Sequence, residues 1–157
     1  MAYCPLGPTC LLGSGIVMSD AIQAAGHVVI EDRAVIGGCI GIHQFVHIGG
    51  MAMIGGMTRV IRDIPPYAMV EGHPGRLRGL NRVGLQRSGL VDRHEGREFK
   101  QLKDVWNLLY RSDCLMAEAL EQARSLELLP AAAHLCSFLE ASIAKGRRGP
   151  TPALSHR

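Results

Sequence analysis

Two of the seven histidines stand in strings of small and aliphatic residues, Ala25-Gly26-His27-Val28 and Gly41-Ile42-His43-Gln44-Phe45. A neutral imidazole both donates and accepts hydrogen bonds, so in these strings the two side chains suit contact with a polar ligand. Taken alone, each reads first as a polar corner residue of the repeat. His47 is expected to be exposed, and His73 falls in a loop with no assigned role. Between Gly72 and Leu90 lie Arg76, Arg78, Arg82 and Arg87 and no acid, either a solvated face or a surface that steers an acidic partner. The net charge is only +3 and no aromatics interleave these arginines, so nucleic acid is not an expected partner. Cys4, Cys10, Cys39, Cys114 and Cys136 are odd in number and lack Cys-x-x-Cys spacing. That argues against a disulfide framework and against a metal site, and reads as reduced cytosolic thiols. No cofactor is implied. Without a signal peptide or a long apolar run, the expectation is a cytoplasmic protein with no stable membrane insertion.

The element that must position the histidines is a repeat. Leu12, Met18, Ala24, Ile30, Ile36, Ile42, Ile48, Ile54 and Val60 recur every sixth residue. A second small or aliphatic residue precedes most of these marks by two positions: Ile16, Ile22, Val28, Ala34, Ile40, Val46, Ala52 and Thr58. Neither a helix period of about 3.6 nor a strand period of about 2 yields a strict six. A hexapeptide period signals a β-helix, a single-stranded solenoid with the marks pointing inward. An aromatic fraction of only 4% fits an interior too narrow for rings. The glycine pairs Gly37-Gly38, Gly49-Gly50 and Gly55-Gly56 read as tight-turn residues. Pro5, Pro8 and Thr9 interrupt the first coil, which has no amphipathic cap, and the solenoid is expected to be truncated at its N-terminus.

Pro65-Pro66 ends the repeat, because proline cannot donate to a ladder. Tyr67 to Glu71 reads as a last strand, and Gly72 to Gly79 as a loop. A helical period follows. The spacing predicts a short helix from Asn81 to Ser88 stopped by Gly89, and a second over about residues 96–111 carrying Phe99, Leu102, Trp106 and Leu109 on one face. A third is predicted to be capped by Asp113, with Met116, Leu120, Ala123 and Leu126 apolar. A fourth starts at Pro130, with Leu135, Phe138, Leu139 and Ile143 on one side, and ends at Gly146. The expected division is a β-helix over 1–71, an α-helical domain over 72–146, and a disordered tail over 147–157, rich in Arg, Pro, Gly and Ser.

The strings around His27 and His43, with Asp63-Ile64-Pro65-Pro66-Tyr67, Gly79-Leu80-Asn81 and Gly84-Leu85-Gln86-Arg87, resemble the UDP-N-acetylglucosamine O-acyltransferase family, which opens lipid A synthesis. The resemblance reaches to about residue 145 and covers the C-terminal part of the family chain. It implies a left-handed parallel β-helix, an exception to the usual right-handed crossover, followed by a small C-terminal α-helical domain. It also implies a homotrimer with sites in the clefts between subunits. The implied reaction moves a 3-hydroxyacyl group from acyl carrier protein to the 3-hydroxyl of UDP-N-acetylglucosamine. The resemblance further implies that the backbone N–H of Gly26 faces the thioester oxygen. His27, His43 and Gln44 are implied to line the sugar-nucleotide region, Asn81 and Arg87 to contact the donor arm and the nucleotide, and Gly56 to set acyl-chain length by leaving the groove long.

The family's base lies in a His-x-x-His-Asp-Cys string (Asn replaces Asp in some members) nineteen residues before the histidine matched by His27. Here the string reads Pro5-Leu6-Gly7-Pro8-Thr9-Cys10. Pro8 stands at the position of the base, and a proline accepts no proton. The expectation is therefore an impaired member of the family. The competing expectation is a non-catalytic paralogue that binds nucleotide sugar or joins mixed trimers.

Overall fold

The computed structural model describes residues 4–154. Strands β1 (Leu11–Leu12), β4 (Val29–Ile30) and β7 (His47–Ile48) stack in one sheet. A second sheet contains β2 (Val17–Met18), β5 (Val35–Ile36) and β8 (Met53–Ile54), and a third contains β3 (Ile22–Ala24), β6 (Ile40–Ile42) and β9 (Arg59–Val60). All these pairs are parallel, and partners lie eighteen residues apart, as in Leu11 with Val29 and Val29 with His47. Three six-residue units thus make one turn of a triangular solenoid, and about three turns are present. Both members of each apolar pair point inward: Val28 and Ile30, Ala34 and Ile36, Ile40 and Ile42, Ala52 and Ile54 are all buried.

Each corner places one residue in the left-handed backbone region. Thr9, Gly15, Ala21, His27, Arg33, Cys39, Phe45, Met51 and Met57 have φ between +56° and +66°. Eight of the nine carry a side chain, at a cost of about 1–2 kcal/mol each, which the ladder hydrogen bonds on either side offset. Gly38, Gly50 and Gly56 do sit in these turns, but the left-handed residue is the one that follows each: Cys39, Met51 and Met57. Gly37 is needed for close approach instead, since a Cβ there would lie 2.6 Å from Gly56 N in the next coil.

Pro65 and Pro66 are buried at a shortened corner. Strand β10 (Ala68–Glu71) pairs with β8 at a sixteen-residue offset, Met69 opposite Met53. The stretch expected to be loop contains a further strand, β11 (Arg76–Leu80), antiparallel to β10. Its alternation is masked because only Leu77 is fully buried between exposed or half-buried arginines. The helical region accordingly begins at Asn81. Helix α1 (Arg82–Arg87) is capped by the Asn81 side chain, which accepts from Gly84 N at 3.0 Å. Helix α2 (Arg97–Arg111) buries Leu102, Val105, Trp106 and Leu109. Helix α3 (Met116–Arg124) starts after Leu115 rather than being capped by Asp113, with Glu118 accepting from Leu115 N–H at 3.4 Å, and Leu126 lies beyond it, exposed. Helix α4 (Pro130–Ser142) buries Leu135, Phe138 and Leu139, while Ile143 is exposed.

The tail is not disordered where it is described. Thr151 N–H donates to Asp63 O at 2.7 Å, Leu77 N–H to Pro152 O at 3.0 Å, and Leu154 N–H to Leu77 O at 3.2 Å. Residues 155–157 of the expected tail lie outside the described residues. Asp63 holds this arrangement together. Its carboxylate, 4% exposed, accepts from Ser142 Oγ at 2.7 Å, an Arg147 guanidinium at 2.7 Å and His47 N–H at 2.8 Å. A buried carboxylate is tolerable only when it is paired and hydrogen-bonded in this way.

Asp63→Ala is expected to lower stability by about 3 kcal/mol in urea denaturation, because three donors lose their acceptor at once. Ile143→Ala, at an exposed position, should change it by no more than about 0.5 kcal/mol. Equal effects from the two substitutions would remove Asp63 as the anchor.

Candidate functional site

With eighteen residues per turn, corner residues stack in columns. Gly7, Ala25 and His43 form one, Pro8, Gly26 and Gln44 the next, and Thr9, His27 and Phe45 a third. Backbone bonds fix the stack: His27 N–H donates to Pro8 O at 3.0 Å, Phe45 N–H to Gly26 O at 3.2 Å, and His43 N–H to Val60 O at 2.9 Å. Four of the residues singled out by the sequence (Gly26, His27, His43 and Gln44) thus occupy two adjacent coils of one corner.

Beside this corner, on the outer face of β3, β6 and β9, an open cavity of about 590 Å³ is lined by Gln23, Gly41, Arg59, Ala25, Gly7 and His43, among others. Gly41 forms an open floor, since a Cβ there would meet nothing within 4 Å. His43 Nδ1 lies 3.2 Å from Gln44 O. A carbonyl oxygen only accepts, so Nδ1 carries the proton in this contact and Nε2 is the acceptor nitrogen of the neutral ring. His27 is held differently. Thr9 Oγ1 lies 2.6 Å from its Nδ1 and 3.4 Å from its Nε2. The ring stacks on Phe45 at 4.9 Å between centroids, with 8° between planes. Pro8 faces Gly26: a Cβ on the glycine would be 3.3 Å from Pro8 O and 3.5 Å from the proline ring. Hydrocarbon at position 8 therefore faces Gly26. Gly56 lies at the other edge of the same face, where its Cβ would be 3.4 Å from Gly38 O.

Asn81 and Arg87 do not join this group within one chain. The Asn81 amide donates to Met51 O at 2.9 Å while its oxygen caps α1, and the residue is buried. Both ends of the side chain are engaged, the oxygen at α1 and the amide at the corner around Met51, a different corner from that of His43. Arg87 is exposed in the last turn of α1. Among the neighbouring arginines, Arg78 Nε lies 3.5 Å from Glu71 Oε2, and Arg82 is exposed.

A second polar cluster lies where α4 meets the solenoid. Glu31 Oε1 is 2.8 Å from His47 Nε2, and Oε2 is 2.9 Å from His134 Nε2 and accepts from Gly50 N–H at 2.7 Å. Tyr67 Oη lies 3.0 Å from His134 Nδ1, and the His47 ring packs on Phe138 at 4.6 Å. His47 is thus half-buried rather than exposed as expected, because α4 covers it. Burial works against the Glu31 charge, but the bonds from His134, His47 and Gly50 outweigh it and hold the carboxyl well below the ordinary carboxylate range. The Tyr67 phenol is pushed up to about 12, first by burial and then by the charges of Glu98 and Glu31. The one hint in the sequence was His134, four residues before Phe138 on the buried face of α4.

A hexapeptide-repeat β-solenoid with a packed helical layer and an imidazole-bearing corner is the class these features define. The family described as "Udp N-acetylglucosamine O-acyltransferase; Domain 2" matches residues 63–151. The chain belongs to this acyltransferase family. It is 42% identical over 97% of its length to the acyl-acyl-carrier-protein–UDP-N-acetylglucosamine O-acyltransferase of Gloeothece citriformis, and equally to that of Synechocystis. It spans about half the length of these curated relatives, 54% in each case. The UDP-N-acetylglucosamine acyltransferase of Arabidopsis superposes with a TM-score of 0.82 at 34% identity, covering 90% of this chain and 50% of that one. That of Campylobacter jejuni gives 0.82 at 28% identity, with 98% and 56% covered. Among the described residues, no helix is long and apolar enough to cross a membrane.

A carboxyl held below its ordinary value of 4.5 contributes stability that is complete above that pH and is lost as pH falls toward the folded value. Urea midpoints measured from pH 7 to pH 3 should therefore fall more steeply for the native chain than for Glu31→Gln below about pH 4.5. Parallel profiles would show that Glu31 does not anchor α4.

Proposed function

We propose that this chain carries the acceptor side of a UDP-N-acetylglucosamine O-acyltransferase site and runs the transfer slowly. A 3-hydroxyacyl group moves from the thioester of acyl carrier protein to the 3-hydroxyl of UDP-N-acetylglucosamine, the acyl transfer that begins lipid A biosynthesis. The observation that carries this reading is the single corner bearing Gly26, His27, His43 and Gln44, with Pro8 packed against Gly26. The acyl carrier protein and UDP-N-acetylglucosamine named for the relatives support these substrates. An alcohol attacks a thioester poorly unless a base removes its proton as the bond forms. The Gly26 N–H stabilises the oxygen that becomes anionic. Pro8 supplies no base, and losing a positioned one costs about 10²–10⁴ in rate, about 3–5 kcal/mol on the barrier.

The same reading includes a left-handed winding of the solenoid, a cytoplasmic location and assembly into trimers. Assembly is supported by the division of the candidate residues: His27 and His43 sit at one corner of a chain, Asn81 and Arg87 near another. A neighbouring subunit brings the two half-sites together, and Asn81 acts there by shaping the Met51 corner that its side chain already holds. Gly56, opposite His43 across the cavity face, leaves room for a long acyl chain. The arginines of 76–87 meet the acidic carrier protein, so that affinity weakens as salt rises. Pro5 and Pro8 together favour one second reading, a non-catalytic chain that holds nucleotide sugar or joins mixed trimers.

Calorimetry should show UDP-N-acetylglucosamine binding to the native chain. A single-turnover assay with acyl carrier protein thioester should show transfer that Pro8→His accelerates by about 10²–10⁴. Binding with no transfer by either protein establishes the second reading. Absence of binding sinks both.

A further inference from the structure

The proline at position 8 leaves open which group, if any, receives the acceptor's proton. We propose that His43 Nε2 is the general base of this chain, an assignment that rests on the acyl-transfer reading above. Three observations converge on it. His43 lines the cavity of about 590 Å³, so its ring borders the space an acceptor can enter. Its Nδ1 faces Gln44 O at 3.2 Å; that partner has no proton to give, so the neutral ring is held with Nδ1 protonated and Nε2 as the acceptor. The cavity floor at Gly41 has no side chain, while Gln23 and Arg59 in the coils above and below supply an amide and a guanidinium to hold a polyol or an anion.

His27, the other candidate, is less free to act. Thr9 Oγ1, which donates to Pro8 O, lies 2.6 Å from its Nδ1, one ring face is covered by Phe45, and the ring does not line the cavity that His43 borders. Its role is to position the sugar nucleotide, with Thr9 as its support.

In the step itself, the acceptor oxygen bonds to the thioester carbonyl carbon while its proton passes to His43 Nε2. The carbonyl electron pair moves onto oxygen, facing the Gly26 N–H. On collapse the carbon–sulfur bond breaks, and the imidazolium returns its proton to the departing thiolate. No other reactant is required. A base at the cavity edge rather than at the Pro8 position is less well aligned, so the step runs slowly, and the Nδ1–H bond to Gln44 keeps the correct nitrogen facing outward.

Four measurements on the full chain test the assignment. Nitrogen-15 NMR should find His43 in the Nδ1–H form at neutral pH; an Nε2–H ring overturns the proposal. His43→Gln should lose at least about tenfold in single-turnover rate while its affinity for UDP-N-acetylglucosamine stays within about threefold. His27→Gln should do the reverse, weakening affinity more than rate. Added imidazole should restore part of the rate to His43→Gly, which a merely structural role would not allow. An unchanged rate in His43→Gln, or a loss confined to affinity, assigns the proton to another group. Transfer by Pro8→His with none by the native chain overturns the His43 assignment alone. No transfer by either protein removes the acyl-transfer reading and this inference with it.

Discussion

The narrow apolar interior of the solenoid is the constraint from which the other features follow. Ile30, Ile36, Ile42, Ile48 and Ile54 are each almost completely shielded from water, and all but Ile42, whose partner is Ile40, are matched by a smaller residue two positions earlier. A residue displaced by one position would face outward, so the six-residue register cannot slip without emptying the core. Burial of this series fixes the eighteen-residue turn, and the turn dictates which corner residues meet. Pro8 lies against Gly26, and His27 lies on Phe45, because the core leaves no other register.

The helical layer is attached by a different kind of contact. Two acids that an isolated solenoid would expose, Glu31 and Asp63, become acceptors for groups from α4 and the tail: His134 for the first, Ser142 and Arg147 for the second. Removing a carboxylate from water is unfavourable unless several donors converge on it, so these acids specify one seating of the helices. Both also bind the solenoid itself, Glu31 through Gly50 N–H and Asp63 through His47 N–H. The layer and the coils are therefore joined at a few polar points amid apolar packing such as His47 on Phe138.

The candidate site inherits its chemistry from that geometry. In a stacked corner every backbone N–H and carbonyl is near a fixed neighbour, so a substitution at one coil changes the surroundings of the next. Pro8 presents its carbonyl to His27 N–H and, through Thr9, helps hold the His27 ring. In the proposed function, binding geometry and proton transfer are therefore separable: the first rests on backbone stacking, the second on one side chain.

The chain's one-dimensional pattern was enough to reveal the repeat, the inward residues, helix α2 to within a residue and the start of α4, whose end at Ser142 falls short of the expected stop at Gly146. All of these depend on periodicity or on the identity of a single position. The pattern did not reveal strand β11, whose only fully buried residue sits between arginines, or the seating of residues 147–154, whose composition resembles a solvated tail. It also missed the Glu31–His47–His134 contact and the engagement of Asn81 with Met51 O. These contacts depend on residues from 16 to 103 positions apart meeting in space. Local sequence determines which face of an element is apolar, because that preference is carried residue by residue. Only the folded chain decides which polar groups share a buried contact, because that depends on where two separate elements come to rest.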